Sequence, residues 1–242
     1  EYEPYTSPQP GWAEQDADLL WAALIDTASA IFGKEPALAD RIAAVGITSQ
    51  RDTMICMNSD GGALRPAITW LDTRKDPGFF RPNLVERIVL SAIGMNDTIK
   101  KSIADGKVNW IIRNEPHVWE RTWKYVQVST FLIYRMTGRV VDSVASMVGH
   151  IPIDYKRRKW SGALDIKNKL FPVDEDKRYP LVEPATVIGS VTDTVAEQIG
   201  LARGTPVVAT GSDKACETVG MGVLDDKTAS LSFGTTTTVE VT

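Results

Sequence analysis

Pro206-Val207-Val208-Ala209-Thr210, followed by Gly211-Ser212-Asp213-Lys214-Ala215-Cys216-Glu217-Thr218-Val219-Gly220, reads as a buried strand that hands the chain to a helix. The first five residues form a short apolar run bounded by a glycine, as in strands covered on both faces. Asp213 is a residue type that opens helices. The strand therefore delivers a carboxylate to the first turn of a helix. Further on, a second strand-like run ends in Phe233-Gly234-Thr235-Thr236, a Gly-Thr turn. A candidate base beside a candidate anion-binding turn points to hydroxyl chemistry on a phosphorylated partner. The plainer reading makes Asp213 an N-cap whose carboxylate accepts from a free N–H of the first turn. A capping box would need Glu or Gln three residues on, where Cys216 stands; simple capping remains open.

Outward from this segment the chain alternates strand and helix signals. Residues 229–233 and 236–241 read as strands after it. Before it, residues 187–191 read as a strand, with Thr192 as a cap and Gly200 as a stop. Residues 124–128 are a strand, followed by a helix capped by Ser129 and stopped by Gly138. Residues 81–93 and 107–113 read as helices. Residues 53–58 and 63–70 flank Ser59-Asp60-Gly61-Gly62, a hairpin signal. Residues 42–48 are a short buried strand. Leu20, Leu24, Thr27 and Ile31 step by three and four along a helix over 16–32, opened by Asp16 and ended by Gly33. Residues 151–186 are rich in charge and proline without clear period, so a loop-dominated stretch is expected. Strands separated by helices predict an α/β fold, a mostly parallel or mixed sheet covered by helices.

The 242 residues suffice for one large domain or two small ones. An apolar fraction of 43% and a charged fraction of 24% are ordinary for a soluble globular chain. The net charge of −4 offers no basic footprint for nucleic acid. No apolar run is long enough to cross a bilayer, and Glu1-Tyr2-Glu3-Pro4 lacks the basic and apolar regions of a signal peptide. Cys56 and Cys216 lack CxxC spacing, which favours a reducing, cytoplasmic location. His117 and His150 form no HExxH pattern, so no protein-held metal is expected.

Gln50-Arg51-Asp52 ends the 42–48 run, at the edge where open α/β sheets bind ligands. Arg donates through a fork and Asp accepts, so neighbouring Arg and Asp can clamp a polyol. The alternative is a surface ion pair of little consequence. Trp70-Leu71-Asp72-Thr73-Arg74 adds an aromatic face and a second Asp/Arg pair, a makeup common in sugar sites.

These residues carry a resemblance. Gly46-Ile47-Thr48-Ser49-Gln50-Arg51-Asp52-Thr53 resembles the Gly-x-x-x-Gln-Arg-Glu/Asp-Thr segment of the FGGY carbohydrate kinases. Arg65-Pro66-Ala67-Ile68-Thr69-Trp70, the Asp72/Arg74 pair, Lys107-Val108-Asn109-Trp110, Thr130 to Gly138, Asp142 with Ala145-Ser146, and the Asp213 segment continue it in order. Gln9-Pro10-Gly11-Trp12-Ala13-Glu14-Gln15 is similar to the family's early Pro-Gly-Trp-x-Glu stretch. Each motif is weak and the ordered set is strong. The resemblance implies an actin-like, ribonuclease-H-like fold in which ATP and sugar meet between two domains. It implies Asp213 as general base, with Gln50, Arg51, Asp52, Trp70 and Asp72 on the substrate and Gly234 and Thr235 on nucleotide phosphate. ATP with Mg2+ is the implied co-substrate, the ion arriving with the nucleotide, and a homodimer is left open.

The departures shape the expectation further. Family members open with a strand and an Asp-Gly-Thr turn, which this chain starts beyond, and their nucleotide-binding domain continues past Thr242. The expected division is residues 1–223, a sugar-binding domain, and 224–242, the start of the second domain. The chain by itself is expected to release no ADP with any sugar. Ser102 stands near where glycerol kinases place a Tyr, and Val148-Gly149-His150-Ile151-Pro152 departs from the usual run after Ala-Ser. The nearest resemblance is to the xylulokinase and ribulokinase branch, which implies a pentulose. The competing readings are a non-catalytic carbohydrate-binding domain and a weaker one, a Rossmann dehydrogenase, for which no GxGxxG follows a strand.

Overall fold

The computed structural model describes residues 5–233 and 237–241. β1 (Glu14–Gln15) leads into α1 (Ala17–Lys34), where the Asp16 carboxylate accepts from the Asp18 N–H at 2.9 Å. The expected stop at Gly33 is passed by one residue, and a 3-10 turn over Pro36–Arg41 breaks the helix instead. β2 (Val45–Gly46), β3 (Met54–Met57) and β4 (Ala67–Ile68) follow, the last two flanking the expected hairpin turn. α2 (Leu84–Ala92), α3 (Asn96–Asp105), α4 (Lys107–Asn114) and α5 (Pro116–Arg121) make a helical excursion before β5 (Lys124–Gln127) and α6 (Val128–Thr137). α3 and α5 escaped the sequence reading because α3 carries only Ile99 and Ile103 as large apolar residues and α5 is six residues long.

Next comes β6 (Asp142–Ser143), and then β7 (Ile153–Asp154), β8 (Lys159–Trp160), α7 (Ile166–Leu170) and β9 (Leu181–Val182), short pieces within the 151–186 stretch expected to be mostly loop. β10 (Val187–Ser190), α8 (Asp193–Ile199), β11 (Pro206–Val208), α9 (Asp213–Gly220) and the hairpin β12 (Ala229–Phe233) to β13 (Thr237–Val241) close the described chain. Thr192 occupies the N-cap position of α8 without a side-chain cap bond.

Two sheets carry the layers. One has the order β1-β4-β3-β5 and is antiparallel throughout, and the other, β10-β11-β2, is mixed. α6 packs on β3 and β5, and α1 packs on α6 and α8. Their shared interior holds Ile55, Met57, Ile68, Tyr125, Phe131, Ile133 and Met136, all fully buried. Burial of such side chains stabilises by roughly 1.5–3 kcal/mol each. Ser129, expected as the cap of α6, lies inside the helix. Its hydroxyl donates to Asp142 Oδ2 at 2.7 Å, as does that of Thr130, and Gln127 holds the N-cap position. Among the described residues no helix is long and apolar enough to cross a membrane.

Candidate functional site

β2 and β11 run parallel, pairing Val207 with Val45 and Val208 with Gly46. Their C-terminal ends therefore leave the sheet side by side, and the two exit loops are stitched together. The Thr48 hydroxyl donates to the Gly211 carbonyl at 2.9 Å, the Thr210 hydroxyl donates to the Ile47 carbonyl, and the Asp213 N–H donates to the Ser49 carbonyl at 3.1 Å. The Ser212 N–H donates to the Ala145 carbonyl at 3.2 Å, tying in the Ala145-Ser146 segment.

Asp213 is the first residue of α9, and the cap position belongs to Ser212, whose hydroxyl accepts from the Ala215 N–H. The capping reading of Asp213 thus passes to its neighbour. The Asp213 carboxylate stands 3.8 Å from Arg51 Nε, a distance too long for a hydrogen bond. The two side chains are 39% and 36% exposed, so the contact adds little stability. Asp213 Oδ1 has no hydrogen-bond partner although almost no solvent reaches that atom.

Asp52 has a different set of partners. Its backbone takes φ = 53°, the left-handed region that Asp tolerates better than most residues. Asp52 Oδ2 accepts from Lys107 Nζ at 2.7 Å and lies 3.0 Å from His150 Nδ1, while Oδ1 accepts from the His150 N–H at 3.2 Å. Burial works to raise this carboxyl, but the His150 hydrogen bond and the Lys107 charge outweigh it and hold it below the ordinary carboxylate value. Neither Lys107 nor His150 was singled out from the sequence as a site residue. The available signal for Lys107 is its place at the first position of α4, where a cation opposes the helix dipole.

The remaining expected residues divide. Gln50 Nε2 donates to Gln15 Oε1 at 3.2 Å, and its side chain lines a groove of about 490 Å³ between α1 and α6. Trp70 follows β4 and is exposed, its N–H bonded to the Thr53 hydroxyl at 3.2 Å, one residue past Asp52. Because β3 and β4 are antiparallel and pair Met54 with Ile68, Arg51, Asp52 and Trp70 lie at one end of the sheet.

Asp72 is engaged within the framework. Its Oδ1 accepts from the Arg74 N–H and Nε, and its Oδ2 accepts from the Ala13 N–H and Arg74 Nη2, at 2.7–2.9 Å. All four lone-pair positions are filled inside the protein, and none remains for a substrate. Gly234 and Thr235 lie outside the described residues.

The family model for the N-terminal domain of the FGGY family of carbohydrate kinases matches residues 2–220. Xylulose kinase of Escherichia coli K12 is 31% identical over 229 residues, 94% of this chain and 46% of the relative. Xylulose kinase of Bacillus subtilis 168 is 27% identical, over 96% of this chain and 46% of the relative. The chain therefore spans about half the length of the curated relatives it matches. Among solved structures, a ligand-bound xylulose kinase from Lactobacillus acidophilus superposes with a TM-score of 0.76 at 20% identity, over 99% of this chain and 48% of that one. A Plasmodium falciparum glycerol kinase with ADP gives 0.74 at 21% identity, over 97% and 47%. These likenesses establish the fold as the α/β, actin-like ATPase fold.

Proposed function

Because this chain belongs to the FGGY family of carbohydrate kinases, we propose that the protein of which it forms part transfers the γ-phosphoryl group of ATP to a hydroxyl of a sugar, with Asp213 as the general base. The observation that carries the reading is the Asp213 carboxylate. It stands at the first turn of α9, its capping duty is taken by Ser212, and Oδ1 has no hydrogen-bond partner. A base must reach the hydroxyl it deprotonates, and geometry matters before basicity. In this reaction the sugar oxygen bonds to the γ-phosphorus, the bond from phosphorus to the bridging oxygen of ADP breaks, and the hydroxyl proton passes to Asp213. Arg51 Nε lies 3.8 Å from that carboxylate.

Magnesium belongs to the proposal as a companion of the nucleotide. Such an ion is held chiefly by phosphate oxygens and water. When bound it neutralises the charge on the phosphates. A pentulose such as xylulose or ribulose is the substrate class the motifs favour, and the xylulose kinases among the relatives support it. The division near residue 223 belongs to the same reading. Val223 is buried, while β12 and β13 form their own two-stranded sheet.

The test uses the full-length protein with MgATP and a panel of pentuloses, hexuloses and polyols, reading ADP release. Asp213→Asn should lower kcat by ~10²–10⁴-fold while changing the sugar KM little. Near-normal turnover in that variant would return Asp213 to a structural role. No turnover of any sugar by the unaltered protein would sink the kinase reading.

A further inference from the structure

α3 and α4 meet at a closed corner. Gly106 takes the N-cap position of α4, and a Cβ built there would lie 3.0 Å from both Asn109 Nδ2 and Phe171 Cδ1. The Asn109 side chain, fully buried, donates to the carbonyls of Ile103 and Leu170 at 3.0 Å each. Lys107 lies between these two residues, so the corner fixes its backbone. A cation at the first helical position opposes the helix dipole, and only 6% of this side chain is exposed. Both conditions disfavour a lysine unless an anion compensates. Asp105, two residues away, pairs with Lys75 instead. The anion that meets Lys107 is Asp52, whose Oδ2 accepts from Nζ at 2.7 Å.

A carboxylate offers about four acceptor positions. In Asp52 three are used: Oδ2 meets Lys107 Nζ and His150 Nδ1, and Oδ1 meets the His150 N–H. One position on Oδ1 remains. Gly149 lies beside it. A Cβ built on that residue would come within 2.7 Å of Oδ1, so the glycine keeps this oxygen clear of a side chain. The carboxylate is 19% exposed and the lysine 6%, which puts the cation on the inner side. The loop that carries Asp52 is also pinned to the candidate base. The Ser49 carbonyl accepts from the Asp213 N–H at 3.1 Å, and Arg51 Nε lies 3.8 Å from the Asp213 carboxylate.

We propose that Lys107 is a positioning residue for the substrate: it holds the Asp52 carboxylate so that Oδ1 accepts a hydrogen bond from one hydroxyl of the sugar. Lys107 itself does not touch the sugar. A cation beneath the carboxylate keeps it ionised and in one orientation, and an ionised acceptor binds a hydroxyl more strongly than a neutral one. The proposal rests on the sugar-kinase reading above and states how the site fixes its acceptor.

The experiment uses full-length protein with MgATP, the best sugar and each of its monodeoxy analogues. It compares the unaltered protein with Lys107→Met, Asp52→Asn and the double variant. In the unaltered protein one analogue should lose ~10–100-fold in kcat/KM, the size expected for one hydrogen bond to a charged group. In Lys107→Met the parent sugar should lose a similar factor, mainly through KM, while the KM for ATP stays the same. The one disfavoured analogue should then differ little from the parent sugar. In the Asp52→Asn background, Lys107→Met should cost nothing further, because a residue that acts through Asp52 has nothing left to act on. Should Lys107→Met alone fail to fold, the double variant strands neither charge and its comparison with Asp52→Asn decides the same point. Equal losses from Lys107→Met in both backgrounds would overturn the proposal, since they mean that the lysine only supports the fold. So would unchanged sugar kinetics, or a matching loss on ATP. Unaltered protein that turns over no sugar defeats the kinase reading and this proposal with it, whereas active protein with additive losses defeats the proposal alone.

Discussion

At the scale of single residues, environment decides what a side chain can do. Asp72 and Asp213 are the same residue type at the ends of comparable apolar runs. One has every lone pair filled by Arg74 and Ala13, and the other keeps an oxygen without a hydrogen bond. The two cysteines differ in the same way. Cys56 is buried in β3, and burial pushes its thiol up to about 11, while Cys216 on α9 is half-buried. At pH 8 a thiol reagent should label Cys216 promptly and Cys56 only after denaturation, which stoichiometric titration with and without urea will show. Two thiols reacting quickly in native protein would mean that β3 opens easily. The raised value has a sign for stability. The contribution of Cys56 is fully present below the unfolded thiol value of roughly 8.5 and is lost as pH rises toward 11. Cys56→Ala should flatten that part of the stability profile.

At the scale of elements, ends are fixed by local chemistry and extents by packing. α6 ends where the sequence says, because Gly138 takes φ = 70° and its N–H donates to the Tyr134 carbonyl at 2.7 Å. Nothing lies near enough to clash with a Cβ at Gly138, so Gly138→Ala tests the backbone cost alone. It should destabilise by about 1 kcal/mol in urea unfolding. Gly162 also faces open space and has no positive φ, so Gly162→Ala should be neutral or slightly stabilising. Equal effects at both sites would remove φ as the cause. The strands teach the converse. β1, β2 and β4 have two residues each, too few for any alternation to show. They exist because neighbours accept their hydrogen bonds.

At the scale of the whole molecule, one buried ionic network joins distant parts of the chain. Arg74 reaches Asp72 and Glu14, and Arg65 reaches Glu14 and Glu115. The Arg74 guanidinium lies 3.8 Å from the Trp12 ring centroid and 4.5 Å from that of Trp110, and the two indoles meet edge to face at 5.3 Å. The motif residues Trp12, Glu14, Asp72, Arg74 and Trp110 are thus linked as a structural unit that ties β1, the segment after β4, and α4 together. Removing one partner strands a buried charge, at a cost of roughly 3–5 kcal/mol. Arg74→Met should therefore lower the urea midpoint sharply. A loss within experimental error would show that the network is not needed for the fold.

Read alone, the sequence determined the alternation of strands and helices over much of the chain, and the family. Those rest on local period, turn chemistry and motif order, all contained in short windows. Tertiary structure decided how the polar residues divide between framework and site. Lys107 is 55 residues from Asp52 and His150 is 98, and no local pattern encodes a contact across such separations. Asp72 and Asp52 look alike in sequence because a carboxylate advertises only that it accepts hydrogen bonds. Which donors reach it first depends on how the whole chain packs.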